Sequence, residues 1–208
     1  MVVSTETAST GSGSEGSGTT GSASTGPSAL RLDWASIETP VGMVSVGCGD
    51  AGVAEARFGA PPAGASQPGD GGRARQARRQ LAEYFAGQRR EFSVPVDWSG
   101  YGPAQRQVLG LLHAEVGYGQ TITYGALAGQ AGIPARDDVI PARAVGQIMG
   151  SNPIPVIVPC HRVVASDGLG GYSGGAGPEV KRWLLILEGS LPPTLDWMPG
   201  RPAGAQDG

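Results

Sequence analysis

The densest chemistry in the chain lies in Pro159-Cys160-His161-Arg162-Val163-Val164, directly after the apolar run Ile154–Val158. A cysteine becomes a nucleophile when its thiolate is favoured, and a nearby imidazole favours it. Successive residues of a regular strand point to opposite faces. Cys160 and His161 therefore work together only if the chain turns here, or if a water bridges thiol and imidazole. The alternative is a buried thiol packed as a small hydrophobe, beside a histidine that caps a turn. Cys48 sits on an apolar strand with no polar partner nearby in sequence and reads as structural. Cys48, Cys160, His113 and His161 match no CxxC or HxxxH spacing, so no metal site is expected.

The elements that must position this segment follow from periodicity and punctuation. Leu30 to Phe58 suits strands, with alternation over Met43–Cys48 and a turn at Cys48-Gly49-Asp50-Ala51-Gly52. Arg73 to Phe85 reads as a helix with Ala77, Leu81, Tyr84 and Phe85 on one face, ended by Gly87. Phe92, Val94 and Val96 alternate as a short strand. The run Ser99-Gly100-Tyr101-Gly102-Pro103 suits a domain boundary. Beyond it, Ala104–His113 is helical, with Val108, Leu111 and Leu112 at helical spacing. Thr123 can cap a helix over Tyr124–Gln130, which Gly132 and Pro134 break. A further helix follows from Ala142 to Met149, which makes a helix-turn-helix pair, although most such pairs only pack a core. Ile154–Val158 reads as a short buried strand, and Val180–Leu187 as a helix with Val180, Leu184 and Leu187 inward.

Composition bounds the rest. Glycine (36) and proline (17) are about a quarter of the 208 residues, which points to irregular segments attached to a folded part. Residues 1–28 hold eight Ser, six Thr and six Gly without an aromatic, and read as a disordered tail. Residues 190–208 read as a Pro/Gly-rich tail. No apolar run reaches the roughly 20 residues of a membrane span. No basic and apolar leader is evident, so a cytoplasmic setting with reduced thiols is expected. The net charge of −3 is not that of a strong non-specific nucleic-acid binder.

Ser151-Asn152-Pro153-Ile154-Pro155-Val156-Ile157-Val158 and the Cys160 segment after it closely resemble the active-site segment of the O6-alkylguanine-DNA alkyltransferases. The resemblance extends to Thr123-Tyr124-Gly125, Ala142-Arg143-Ala144-Val145-Gly146, Gly171-Tyr172-Ser173-Gly174-Gly175 and Trp183-Leu184-Leu185-Ile186-Leu187-Glu188-Gly189. These blocks cover 104–189 in the family's order, with a weaker echo over 30–100.

The resemblance implies an α/β protein. A small ribonuclease-H-like N-terminal domain (29–100) precedes a mainly helical, winged helix-turn-helix domain (101–189). It implies stoichiometric, irreversible transfer of an alkyl group from O6-methylguanine, and less surely O4-methylthymine, in duplex DNA to Cys160. His161 would take the thiol proton through a water, Glu188 would orient His161, and Asn152 would act as a hinge. Arg143 resembles the finger that fills the space of a flipped nucleotide, and Tyr124 the tyrosine that turns its phosphate. Ala142, Ala144 and Gly146 suit close approach of the second helix to the minor groove. Pro155, Val163, Tyr172 and Ser173 belong to the implied base pocket. No cofactor is implied, and the partner is alkylated double-stranded DNA, bound by a monomer without a membrane. Two departures stand out: a longer link over 133–141, carrying Asp137 and Asp138, and a shorter loop between Cys160 and Tyr172. Three alternatives remain: an alkyltransferase-like damage sensor, a thiol hydrolase, and a helix-turn-helix regulator with a structural cysteine.

Overall fold

The computed structural model of the protein describes residues 32–65, 72–135, 140–172 and 177–193. The expected tail over 1–28, all but four residues of the tail over 190–208, and Leu30, Asp137, Asp138 and Ser173 lie outside them.

Three strands open the fold: β1 (Asp33–Thr39), β2 (Gly42–Cys48) and β3 (Val53–Phe58), antiparallel in the order β1-β2-β3. Thr39 pairs with Gly42, which takes a left-handed φ of +99° to close the hairpin. β2 is the central strand and is buried on both faces from Val44 to Cys48. Residues of alternate parity face opposite sides. Gly47 lies against the Trp34 ring, where a Cβ would come within 2.8 Å of ring carbons. Helix α1 (Arg73–Phe85) packs on the sheet through Ala74, Ala77, Gln80, Leu81, Tyr84 and Phe85. This is the spacing of one helical face, and Arg73, Arg75, Arg78 and Arg79 are left outward. Gly87 at φ +71° ends the helix, its N–H donating to the Tyr84 carbonyl at 2.9 Å.

The strand expected over Phe92, Val94 and Val96 does not form. Only Val53 bridges Val96, through Val53 N–H to the Pro95 carbonyl (2.8 Å) and Asp97 N–H to the Val53 carbonyl (2.9 Å). Pro95 has no N–H to continue a ladder. The segment is held by side chains instead: Gln80 donates to Ser93 Oγ at 2.7 Å and accepts from Ser93 N–H at 2.9 Å.

The second part holds helices α2 (Pro103–Glu115), α3 (Tyr124–Gln130), α4 (Pro141–Gly150) and α5 (Gly177–Leu187), with a two-residue parallel ladder of β4 (Ile122–Thr123) and β5 (Val163–Val164). α2 buries Val108, Leu109 and Leu112, and Leu111 packs half-buried against the same core. Thr123 caps α3, accepting from Ala126 N–H at 3.1 Å. α4 starts on Pro141, which suits a first turn. It buries Val145 and Met149 one turn apart and packs against α3.

Ile154–Val158 is buried as expected but is not a strand. The chain folds back on itself, with Val158 N–H donating to the Ile154 carbonyl at 2.9 Å and Val156 at φ +74°. Pro153 and Pro155 remove two donors that a strand would use. A left-handed valine is strained and must be held by its surroundings. Asn152 does much of this: its Nδ2 donates to the Val158 carbonyl (2.9 Å) and its Oδ1 accepts from Ile154 N–H (3.1 Å). The same segment ties the two halves together, since Ala56 N–H of β3 donates to the Pro153 carbonyl at 2.8 Å.

Gly52, at φ +147°, is where the sheet meets the segment around Pro95; a Cβ there would fall 2.3 Å from the Pro95 carbonyl oxygen. Gly52→Ala is therefore expected to destabilise the protein by about 3 kcal/mol. Gly59→Ala, at φ +115° with open space around it, should lose only about 1 kcal/mol. Chemical denaturation of the two variants checks the order, and equal losses would contradict it.

Candidate active site

The fold-back over 152–158 delivers Cys160 into a short 3₁₀ turn, Cys160–Arg162, whose N–H of Cys160 donates to the Val158 carbonyl at 2.8 Å. The chain does turn at this point, as a cooperating Cys–His pair requires. Cys160 is buried but forms part of the wall of a cleft of about 360 Å³. Tyr124 of α3, Ala142, Gly146 and Met149 of α4, and Tyr172 form other parts of that wall. Burial pushes the Cys160 thiol above its usual range. The nearby polar groups of Asn152 and Tyr172 and the positive charge of Lys181 act in the opposite direction.

Behind the cysteine, His161 is fully buried, and its Nε2 lies 2.9 Å from Glu188 Oε1. Its Nδ1 has no hydrogen-bond partner among the described residues. Burial lowers the proton affinity of the ring, and Arg162 and Lys181 lower it further, against the hydrogen bond and charge of Glu188. The ring is therefore neutral at neutral pH. A neutral imidazole facing a carboxylate places its proton on the facing nitrogen. Nε2 then donates to Glu188, and Nδ1 is left as an acceptor.

Glu188 sits just beyond the end of α5 and is the most heavily bonded side chain of the site. Oε1 accepts from Tyr84 OH (2.6 Å), His161 Nε2 (2.9 Å) and an Arg162 terminal nitrogen (2.9 Å). Oε2 accepts from Arg162 Nε (2.9 Å) and Gly119 N–H (3.3 Å). Burial alone would raise this carboxyl. The hydrogen bond from His161, with the hydrogen bonds and positive charge of Arg162, outweighs it and holds Glu188 far below the usual carboxylate range. Arg162 is anchored in turn by donating to the Val116 carbonyl at 2.6 Å.

The remaining expected residues fall into three groups. Tyr124, Tyr172, Ala142 and Gly146 line the cleft with Cys160, and Tyr124 OH donates to the Gly171 carbonyl at 3.1 Å. Val163 lies in β5 beside the 3₁₀ turn, its carbonyl accepting from Lys181 Nζ at 2.7 Å, and Pro155 is buried in the fold-back. Ala144 and Arg143 lie on α4 away from the cleft wall. Arg143 is exposed, and its side chain makes no hydrogen bond or ion pair among the described residues. Ser173 lies outside the described residues.

Three side chains of the site were not singled out from the sequence. Lys181 is fully buried on α5, donates to the Val163 and Gly171 carbonyls (2.7 and 3.0 Å), and lies 5.7 Å from the Tyr124 ring centroid. Burial pulls its ammonium down to about 8. The signal was present: it is the single lysine among 15 basic residues. Arg162 lay inside the quoted motif. Tyr84 carried no signal, because its place on the apolar face of α1 reads as core.

Comparison with known proteins finds relatives for both parts of the chain. Residues 103–190 match "6-O-methylguanine DNA methyltransferase, DNA binding domain", and residues 32–98 match "6-O-methylguanine DNA methyltransferase, ribonuclease-like domain". A Mus musculus protein named methylated-DNA–protein-cysteine methyltransferase is 51% identical over 84 residues, 40% of this chain and 37% of its own length. One of the same name from Mycobacterium tuberculosis is 47% identical over 116 residues, 55% of this chain and 65% of its own. The chain thus spans less than two thirds of the length of these curated relatives. A crystal structure of the Mycobacterium tuberculosis OGT in complex with DNA superposes with a TM-score of 0.64 at 36% identity, covering 76% of this chain and 93% of that one. The fold and site define a mixed α/β protein, a small sheet domain followed by a helical one, with a cysteine in a cleft beside a helix pair. The chain belongs to the 6-O-methylguanine DNA methyltransferase family.

The buried charges make stability depend on pH. Unfolded His161 takes a proton near its usual 6.5, whereas the folded ring resists it, so stability falls as pH drops below 6.5. Glu188 titrates near 4.5 when unfolded and lower when folded, so its contribution is full above 4.5 and lost below. Glu188→Gln leaves Arg162 buried without its partner and should destabilise the protein by about 3–5 kcal/mol at neutral pH. Its stability should also fall less steeply than that of the wild type below 4.5. Thermal melts across the acid range check both statements, and a parallel pH profile in the variant would contradict them.

Proposed function

We propose that this protein repairs alkylated DNA by direct reversal, accepting the alkyl group of O6-methylguanine in duplex DNA on Cys160. The observation that carries the reading is the placement of Cys160 in the wall of a cleft beside α4, with the His161–Glu188 pair directly behind it. His161 takes the thiol proton on Nδ1, directly or through a water, and Glu188 offsets the charge that forms. The sulfur attacks the methyl carbon in line; the S–C bond forms as the C–O6 bond breaks. The base leaves as guanine once the proton has been returned to it. The product is a thioether, and no described residue offers a route to cleave it, so each chain acts once.

The target atom is buried in the base stack, so the nucleotide must leave it. Arg143 is exposed on α4 and takes the vacated space. Ala142, Ala144 and Gly146 keep that helix slim enough for the minor groove. Tyr124 acts on the phosphate of the flipped nucleotide. Tyr172, Pro155, Val163 and Ser173 form the base pocket, and Asn152 holds the fold-back that carries the cysteine. O4-methylthymine is the weaker second substrate. Residues 29–100 form the supporting domain and 101–189 the transferring one. The protein acts as a monomer in the cytoplasm without a cofactor. Among the described residues no helix is long and apolar enough to cross a membrane.

Mixing the protein with a duplex carrying one O6-methylguanine should add one methyl, mapped by peptide mass to Cys160, and stop at one per chain. Cys160→Ala should bind the duplex and transfer nothing. Transfer by that variant, or continued turnover, would refute the reading. Arg143→Ala should slow transfer about tenfold on duplex, because unstacking a base takes a few kcal/mol. The same variant should react normally with a free O6-alkylguanine base, and equal losses on both substrates would exclude a finger role.

A further inference from the structure

We propose that Tyr84 is a positioning residue for alkyl transfer: its hydroxyl, brought in from the first domain, fixes the Glu188 carboxylate against His161. The inference rests on the function proposed above. Glu188 follows α5 in the transferring part of the chain, and four of its five hydrogen bonds come from that part. The fifth, at 2.6 Å, is the shortest and comes from Tyr84 on α1. That length is typical of a hydroxyl donating to a carboxylate, a charge-assisted bond about twice as strong as a neutral one. The phenol is fixed as a donor, because burial and the negative charge of Glu188 push its own ionisation well above the usual range.

Tyr84 reaches this place from a rigid base. Its ring is fully buried and packs on Phe85 and Phe92 (centroids 5.4 Å each) and edge-on to Tyr118 (6.1 Å). A phenylalanine would satisfy all of this packing, so the packing does not account for the hydroxyl. Tyr84 OH lies 3.5 Å from His161 Nε2, whereas Glu188 Oε1 is at 2.9 Å, so the imidazole proton goes to the carboxylate. The hydroxyl acts on His161 through Glu188. It holds Oε1 in place and disperses its negative charge, so the carboxylate does not draw a second proton onto the ring. A ring that already carries two protons cannot accept one from Cys160.

The other charged or titratable groups around the pair are Arg162 and Cys160 on the 3₁₀ turn, Lys181 on α5 and Tyr118 in the loop after α2. None of these groups is hydrogen-bonded to the Tyr84 hydroxyl, which donates to Glu188. The effect of removing the hydroxyl therefore isolates one bond.

The test compares wild type, Tyr84→Phe and Phe92→Leu as full chains. Two rates are followed across pH: single-turnover transfer from an O6-methylguanine duplex, and alkylation of Cys160 by iodoacetamide, mapped by peptide mass. Cys48 is pushed up to about 11 and maps separately. Tyr84→Phe should lower both rates about tenfold at neutral pH, the effect of one charge-assisted bond. It should move the acid limb of both profiles to higher pH and leave duplex affinity unchanged. Phe92→Leu disturbs the same aromatic cluster; it should lower the melting temperature and leave both acid limbs in place. Wild-type profiles in Tyr84→Phe, or the same limb shift in Phe92→Leu, would overturn the role of Tyr84. The iodoacetamide profile decides this point even if the wild type takes no methyl from DNA, a result that would defeat the proposed function alone.

Discussion

Glu188 is removed from water, and a buried carboxylate stays ionised only when donors replace its hydration. Five donor groups from three separate stretches of chain do so: Tyr84 in α1, Gly119 in the loop after α2, and His161 and Arg162 in the 3₁₀ turn. One charge therefore fixes the distance between the sheet domain, the loop after α2 and the turn that carries the cysteine. Arg162 supplies the compensating positive charge in a two-pronged grip, which also sets the plane of the carboxylate. Each member is costly to remove alone, because the others are left buried and unpaired. The arrangement serves the chemistry by leaving His161 neutral with one nitrogen engaged and the other free to accept a proton.

The second constraint lies in the backbone ahead of Cys160. Two prolines and a left-handed valine turn an apolar pentapeptide back on itself, and Asn152 bridges the turn from both ends. The strain is balanced by full burial of the segment and by the link from Ala56 to Pro153. The 3₁₀ turn that follows aims the thiol into the cleft and the imidazole toward the interior. A regular strand would put the two residues on opposite faces, out of reach of a common partner. Lys181 fixes the far side of the cleft by donating to backbone on both flanks of the loop between Val163 and Gly171.

Much of this was legible in the sequence, and the exceptions share a physical cause. Periodicity located α1, and Thr123 marked the start of α3, because local pattern and capping chemistry decide those elements. The strand expected over Ile154–Val158 failed because burial and β-branched content were read without counting the N–H groups that Pro153 and Pro155 remove. Pro95 had the same effect on the segment from Phe92 to Val96. In the site, Cys160, His161 and Glu188 come together as their motifs implied. Tyr84 was hidden because a tyrosine on an apolar helix face looks like core until its hydroxyl is seen to meet a residue 104 positions away. Lys181 stood out as the single lysine, but its helical position gives no hint of full burial.

Everything at the site turns on Glu188 holding His161 as a neutral imidazole with its proton on Nε2. The chain has only two histidines, so the nitrogen-15 resonances of both rings can be assigned with a His113→Gln variant. At neutral pH the account predicts a protonated Nε2 and an unprotonated Nδ1 for His161. Replacing Glu188 with glutamine should disturb that pattern. A doubly protonated ring at neutral pH, or a proton on Nδ1 instead of Nε2, would overturn this, because Nδ1, the nitrogen not engaged by Glu188, could then not receive the proton from Cys160.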